Sequence, residues 1–107
     1  MKILLILTLL SLLTSPLASA RSYECDIKDD STSNINISVR GQRAEVVLQN
    51  STRYEYNCLA ERDDFGLLID CTTTMLDFMI LLNDEYQHSV SGGVMSSTHN
   101  LFSDIEC

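Results

Sequence analysis

The sequence predicts an all-β fold: an antiparallel meander of about seven to eight strands, curled into a small barrel or flattened sandwich and tied by two disulfides. Three observations carry that prediction. From Tyr23 onward apolar residues recur at every second position, the period of a half-buried strand and not of a helix. Short polar turns separate the runs, and successive runs can pair as hairpins with their apolar residues opposite one another. Cys25, Cys58, Cys71 and Cys107 make an even number of cysteines in a short chain with an export signal, which favours two bridges over free thiols or a metal site.

Residues 1–20 read as a removable signal. Lys2 is its positive end, Ile3 to Leu13 its apolar stretch and Ala18-Ser19-Ala20 a small-residue cleavage site. The remaining single domain, residues 21–107, contains no run near the ~20 apolar residues of a membrane-spanning helix. Arginine at position 21, where a bacterial lipoprotein has cysteine, does not support a lipid anchor. The expected location is therefore secreted or periplasmic. Without Lys2 the chain keeps six basic residues against fifteen acidic, a net charge of −9. Such a surface repels phosphate backbones and anionic lipid, which makes nucleic acid a poor partner and leaves another exported protein as the expected one.

The strands follow in order. Tyr23, Cys25 and Ile27 open the pattern, and Ile35, Ile37 and Val39 continue it. Gly41-Gln42 suits a two-residue hairpin loop with glycine first, setting Val39 opposite Ala44, Ile37 opposite Val46 and Ile35 opposite Leu48. The loop Asn50-Ser51-Thr52 sets Leu48 opposite Tyr54 and Ala44 opposite Cys58. A turn at Arg62-Asp63 aligns Cys58 with Leu67, with Phe65, Leu67, Ile69 and Cys71 facing inward. Thr73-Thr74 then aligns Ile69 with Phe78, and Asn83-Asp84-Glu85 aligns Ile80 with His88 in a strand from Tyr86 to Val90. Leu101 to Cys107 supplies a last run.

These registers bear on the cysteines. Under the Arg62-Asp63 turn, Cys58 and Cys71 lie four residues apart along the strands, about 13 Å, too far for a bridge. The expected pairings are therefore Cys25 with Cys58 plus Cys71 with Cys107, or Cys25 with Cys71 plus Cys58 with Cys107.

Catalytic chemistry finds little support. His88 falls on an inward face and His99 in a polar, solvated stretch, without metal-ligand spacing. Asp29-Asp30, Asp63-Asp64 and Asp84-Glu85 fall in turns, where carboxylates are ordinary. Asp70 and Asp77 point outward opposite each other, an arrangement that could raise one carboxyl's pKa, yet nothing beside them donates or orients a proton. No cofactor or metal is called for. The expectation is a protein that is not an enzyme.

The outward positions are more informative. Early strands present Glu24, Asp26, Lys28, Asn36, Ser38, Arg40, Arg43 and Glu45, as solvated strands do. Leu59, Leu68, Met79 and Leu81 also point outward, with Leu68 opposite Met79 and Gly66 between Leu59 and Leu81. A contiguous apolar patch marks either a contact surface or the seat of another part of the chain. Here the competing cover is the segment Gly92 to Cys107. The sequence thus points to a small exported, non-catalytic binding or inhibitory module whose partner-binding residues are Leu59, Leu68, Met79 and Leu81. The alternative is a structural or envelope-associated soluble protein without a specific ligand.

In outline the chain is similar to small exported bacterial inhibitors of C-type lysozyme. The likeness rests on the export signal, Tyr23-Glu24-Cys25 near the start of the domain and Cys107 at the other end. It implies an antiparallel β-barrel and a cationic enzyme as partner. That family's Ser-Gly-x-x-Tyr loop is not matched, since Ser91-Gly92 is followed by Gly93, Val94 and Met95, so no site residues are carried over.

Overall fold

A computed structural model describes residues 20–85 and 89–107. Residues 1–19, most of the expected signal, lie outside the described residues, as do Tyr86 and His88, so the inward placement of His88 does too. Eight antiparallel strands close into a barrel in simple sequence order. They are β1 (Ala20–Ile27), β2 (Asp30–Arg40), β3 (Arg43–Gln49), β4 (Arg53–Asp63), β5 (Gly66–Asp70), β6 (Met79–Asn83), β7 (Ser91–Ser96) and β8 (Leu101–Glu106). Closure joins the edge strands β1 and β8 along one short seam and turns every second side chain towards the lumen. The lumen is filled by apolar groups, with Ile35, Val46, Ile69, Phe78, Ile80, Leu82 and Ile105 fully buried. No described helix is long and apolar enough to cross a membrane.

The first half of the meander follows the sequence pattern closely. Val39 pairs with Ala44, Ile37 with Val46 and Ile35 with Leu48 across the two-residue Gly41-Gln42 loop. Gly41 has φ +58°, a conformation that costs glycine nothing. Leu48 pairs with Tyr54 and Ala44 with Cys58, as the three-residue loop dictates.

The second half keeps the expected faces but slides its registers. Ala60 pairs with Ile69 and Asp63 with Gly66, so the β4–β5 turn lies beyond Arg62-Asp63. Its cause is local: Asp63 Oδ1 accepts hydrogen bonds from the amides of Phe65 (2.7 Å) and Gly66 (3.1 Å). Gly66 closes the turn at φ +138°, and Phe65, expected inside, sits at the tip and is 80% exposed. Next, Thr73 Oγ1 accepts from the amides of Met75 and Leu76. That turn pairs Ile69 with Ile80 instead of Phe78, and Leu68 with Leu81 instead of Met79. Gly66 consequently lies opposite Asp63 and close to the Leu82–Asn83 backbone, not between Leu59 and Leu81.

Tyr86 to His88 lie outside the described residues, and the strand that pairs with β6 is β7. Ile80 pairs with Val94, not His88, and Val90 lies outside any strand. Composition hides β7, because Gly92 and Gly93 lack strand preference. Gly92 is there for packing: a Cβ on it would stand 1.9 Å from the Leu81 carbonyl oxygen.

The slid register overturns the disulfide expectation. Cys58 is bonded to Cys71, with Cα atoms 4.4 Å apart, and Cys25 to Cys107. Cys58 and Cys71 directly continue the Leu59–Asp70 pair, so the four-residue offset that separated them does not exist. Likewise Cys25 and Cys107 continue the Asp26–Glu106 pair. That bridge locks the closing seam, where β1 and β8 pair only at Asp26–Glu106 and Ile27–Ile105. The Lys28 amide adds a hydrogen bond to the Asp104 carbonyl at 3.0 Å. Two bridges in a small domain are compatible with an oxidising extracellular compartment.

Candidate binding face

Because sheet neighbours lie about 4.8 Å apart, residues paired across successive strands form rows on the barrel wall. One outward row runs Glu61, Leu68, Leu81, Gly93, Asp104 from β4 to β8. Beside it runs Leu59, Asp70, Met79, Met95, Phe102. The two rows together make an apolar field with acidic margins, since Leu81 (41% exposed), Met95 (53%) and Phe102 (60%) stand in solvent. Leu68 and Met79 are half-buried between them.

All four sequence-predicted residues lie on this outer wall. Leu68, Met79 and Leu81 are brought together, whereas Leu59 is separated from Met79 by Asp70. The segment Gly92 to Cys107 does not fold over the patch. It extends the wall edge to edge as β7 and β8 and adds Met95 and Phe102 to it. Those two were legible as apolar residues but not as members of the patch, because only the register of β7 aligns them with Met79. At the centre, Leu68, Met79, Leu81, Gly93 and Met95 line a shallow apolar groove of about 310 Å³.

The polar groups with perturbed surroundings serve the two barrel ends. At one end Asp84, buried and not in an exposed turn as its sequence context suggests, accepts two hydrogen bonds from the Arg62 guanidinium (2.8 and 2.7 Å) and one from Tyr23 Oη (3.0 Å). The Arg62 contact holds the Asp84 carboxyl down at about 2, against the opposing effect of burial. No sequence signal links these residues, which meet only through the barrel's closure. Beside them opens a polar concavity of about 850 Å³, lined by Arg21, Tyr23, Glu61 and Arg62 among others.

At the other end His99 is half-buried instead of solvated. Its Nε2 shares a 2.6 Å hydrogen bond with Tyr56 Oη, and its ring packs against Tyr54 and edge-on to Phe78. Burial pushes its pKa down. Asp77 does not face Asp70, which pairs with Met79. Its carboxylate instead gathers the amides and hydroxyls of Ser97 and Thr98, tying two loops together. Those bonds hold the Asp77 carboxyl well below the usual range, the reverse of the elevation a facing pair of acids would produce. Among the described residues, no three metal-ligating side chains converge. Comparison of the chain with protein-family models, with characterised proteins and with solved structures returned no match.

Proposed function

We propose that the protein is a small exported, non-catalytic module that binds or inhibits a cationic protein through the outer wall of β5 to β8. The observation that carries this reading is the apolar field of Leu68, Met79, Leu81, Met95 and Phe102, continuous across four strands and margined by Glu61, Asp70 and Asp104. An apolar centre with a charged rim is the usual anatomy of a protein contact. The acidic balance of the chain, fifteen acidic residues against seven basic, favours a basic partner by steering and by complementarity at the rim. It also disfavours a second copy of the same chain, whose margins would repel.

The test is capture of exported proteins on immobilised protein at low salt, comparing wild type with a Leu68→Asp/Met79→Asp variant. Wild type should retain a basic protein that the variant loses at least ~10-fold, while circular dichroism shows the variant folded. Equal retention by both, or no basic protein retained by wild type, rejects the reading.

A further inference from the structure

Gly93 has no structural reason to be glycine. Its backbone is not in the left-handed region, and a Cβ there would meet only the Ser103 carbonyl oxygen, at 3.7 Å. The adjacent Gly92 is different, since its Cβ would collide with Leu81. Glycine inside a strand weakens it relative to a residue with a side chain, and one that the fold does not need commonly marks close approach of another molecule.

The surroundings of that missing side chain are specific. Within the outward row Gly93 has Leu81 on one side and Asp104 on the other. Met95 lies beyond it along β7, with Met79 and Phe102 at the corners. The absent side chain is what opens the apolar groove, whose volume of about 310 Å³ lies at the small end of ligand sites. Among the described residues Asp104 and Glu61 make no ion pair, whereas Glu106 is held by Lys28 at 2.9 Å. Leu81 and Asp104 are two strands apart, about 10 Å. A residue seated over Gly93 and its chain neighbour can therefore reach an apolar wall and an exposed carboxylate at once.

We infer that the Gly93 notch seats one leucine-like side chain of a basic polypeptide segment, with Asp104 engaging a lysine or arginine beside it. The inference rests on the binding reading above and names the anchor within that face. The like-charged margins disfavour a second copy as occupant, and a groove of about 310 Å³ is small for a large apolar ligand.

The probe is a blocked pentapeptide, Gly-Arg-Leu-Arg-Gly, titrated into isotope-labelled protein and followed by amide chemical shifts. Shifts should concentrate on Leu81, Gly93, Met95 and Asp104, and the Leu-to-Ser peptide should bind at least ~5-fold more weakly. Gly93→Val should melt no lower than wild type yet weaken binding ~10-fold, about 1.4 kcal/mol. Asp104→Asn should weaken it ~3-fold and flatten its salt dependence. A footprint elsewhere, no footprint, or undiminished binding to Gly93→Val overturns the inference. Should Gly93→Val fail to fold, the wild-type footprint and the Leu-to-Ser comparison decide alone. The captured protein separates the two levels: if Leu68→Asp/Met79→Asp releases it and Gly93→Val keeps it, the anchor is wrong and the binding face stands. If both variants keep it, the binding face is wrong as well.

Discussion

Strands β1 to β4 run 8, 11, 7 and 11 residues, whereas β5 to β8 run 5, 5, 6 and 6. The long half alternates mainly between inward apolar and outward polar residues, as Asn34 to Arg40 illustrates, with Val47 and Leu59 the outward apolar exceptions. The short half is apolar on both faces along β6, where Ile80 and Leu82 fill the lumen while Met79 and Leu81 look outward. The difference separates two ways of holding a barrel wall. The long strands are fixed by their own ladders and by a one-sided hydrophobic pattern, so a register slip by one residue would bury polar groups. The short strands have less ladder and a weaker facial preference, and they rely on cross-links and loop contacts: Cys58–Cys71 beside β5, Cys25–Cys107 beside β8, and the Asp77 carboxylate between two loops.

The disulfides test this contrast most severely. Removing Cys25–Cys107, whose sequence separation is 82, as a double serine variant should cost roughly 4–5 kcal/mol. Removing Cys58–Cys71, with separation 13, should cost roughly 3 kcal/mol. Urea unfolding measures both, and hydrogen exchange should rise first at Ile27 and Ile105 in the seam variant. A larger loss from the shorter loop would mean that the β4–β5 hairpin, and not the seam, is the weak point.

Next in size is the plug that joins the halves. With its carboxyl held at about 2 from an ordinary 3.8, Asp84 adds stability that is complete above about pH 4 and is lost as pH falls towards 2. Arg62 is half exposed, so water screens the pair and the contribution is about 1–2 kcal/mol. Asp84→Asn should be less stable than wild type by that amount at pH 7, with the difference closing between pH 4 and pH 2. A difference independent of pH over that interval would assign Asp84 a packing role only.

The smallest effect belongs to the outer faces. Leu81→Thr or Met95→Thr in the short half should change unfolding free energy by no more than about 0.5 kcal/mol, like Ser38→Thr in the long half. A loss above about 1.5 kcal/mol would show that the apolar field supports the short strands and is not spare surface.

The same contrast explains which parts of the fold were legible. Gly41-Gln42 and Asn50-Ser51-Thr52 lie between one-sided runs, and every pairing read across them is present. Phe65 misled because an aromatic residue extended the apolar alternation of β5. Yet Asp63 and Gly66 occupy the first and fourth places that a tight turn favours, and that signal was there to weigh against it. Tyr86 to Val90 alternates well, whereas Ser91 to Ser96 offers only Val94 and Met95 to a pattern reader. The sliding nonetheless conserved facing, because each slip was by an even number of residues. The outward positions of Leu59, Leu68, Met79 and Leu81 were therefore readable, while Met95, Phe102 and the notch at Gly93 needed the register.

The Cys25–Cys107 bond also turns the domain into a covalent hoop. Any single peptide cleavage between those residues opens the hoop without releasing a piece, and the two new ends stay joined through the bond. A nick at the exposed tip around Phe65, or in the Thr72–Met75 loop, would leave a molecule heavier by one water that still carries every strand. Against any protease, first cuts become survivable, and loss of the wall requires either a second cut or a reductant.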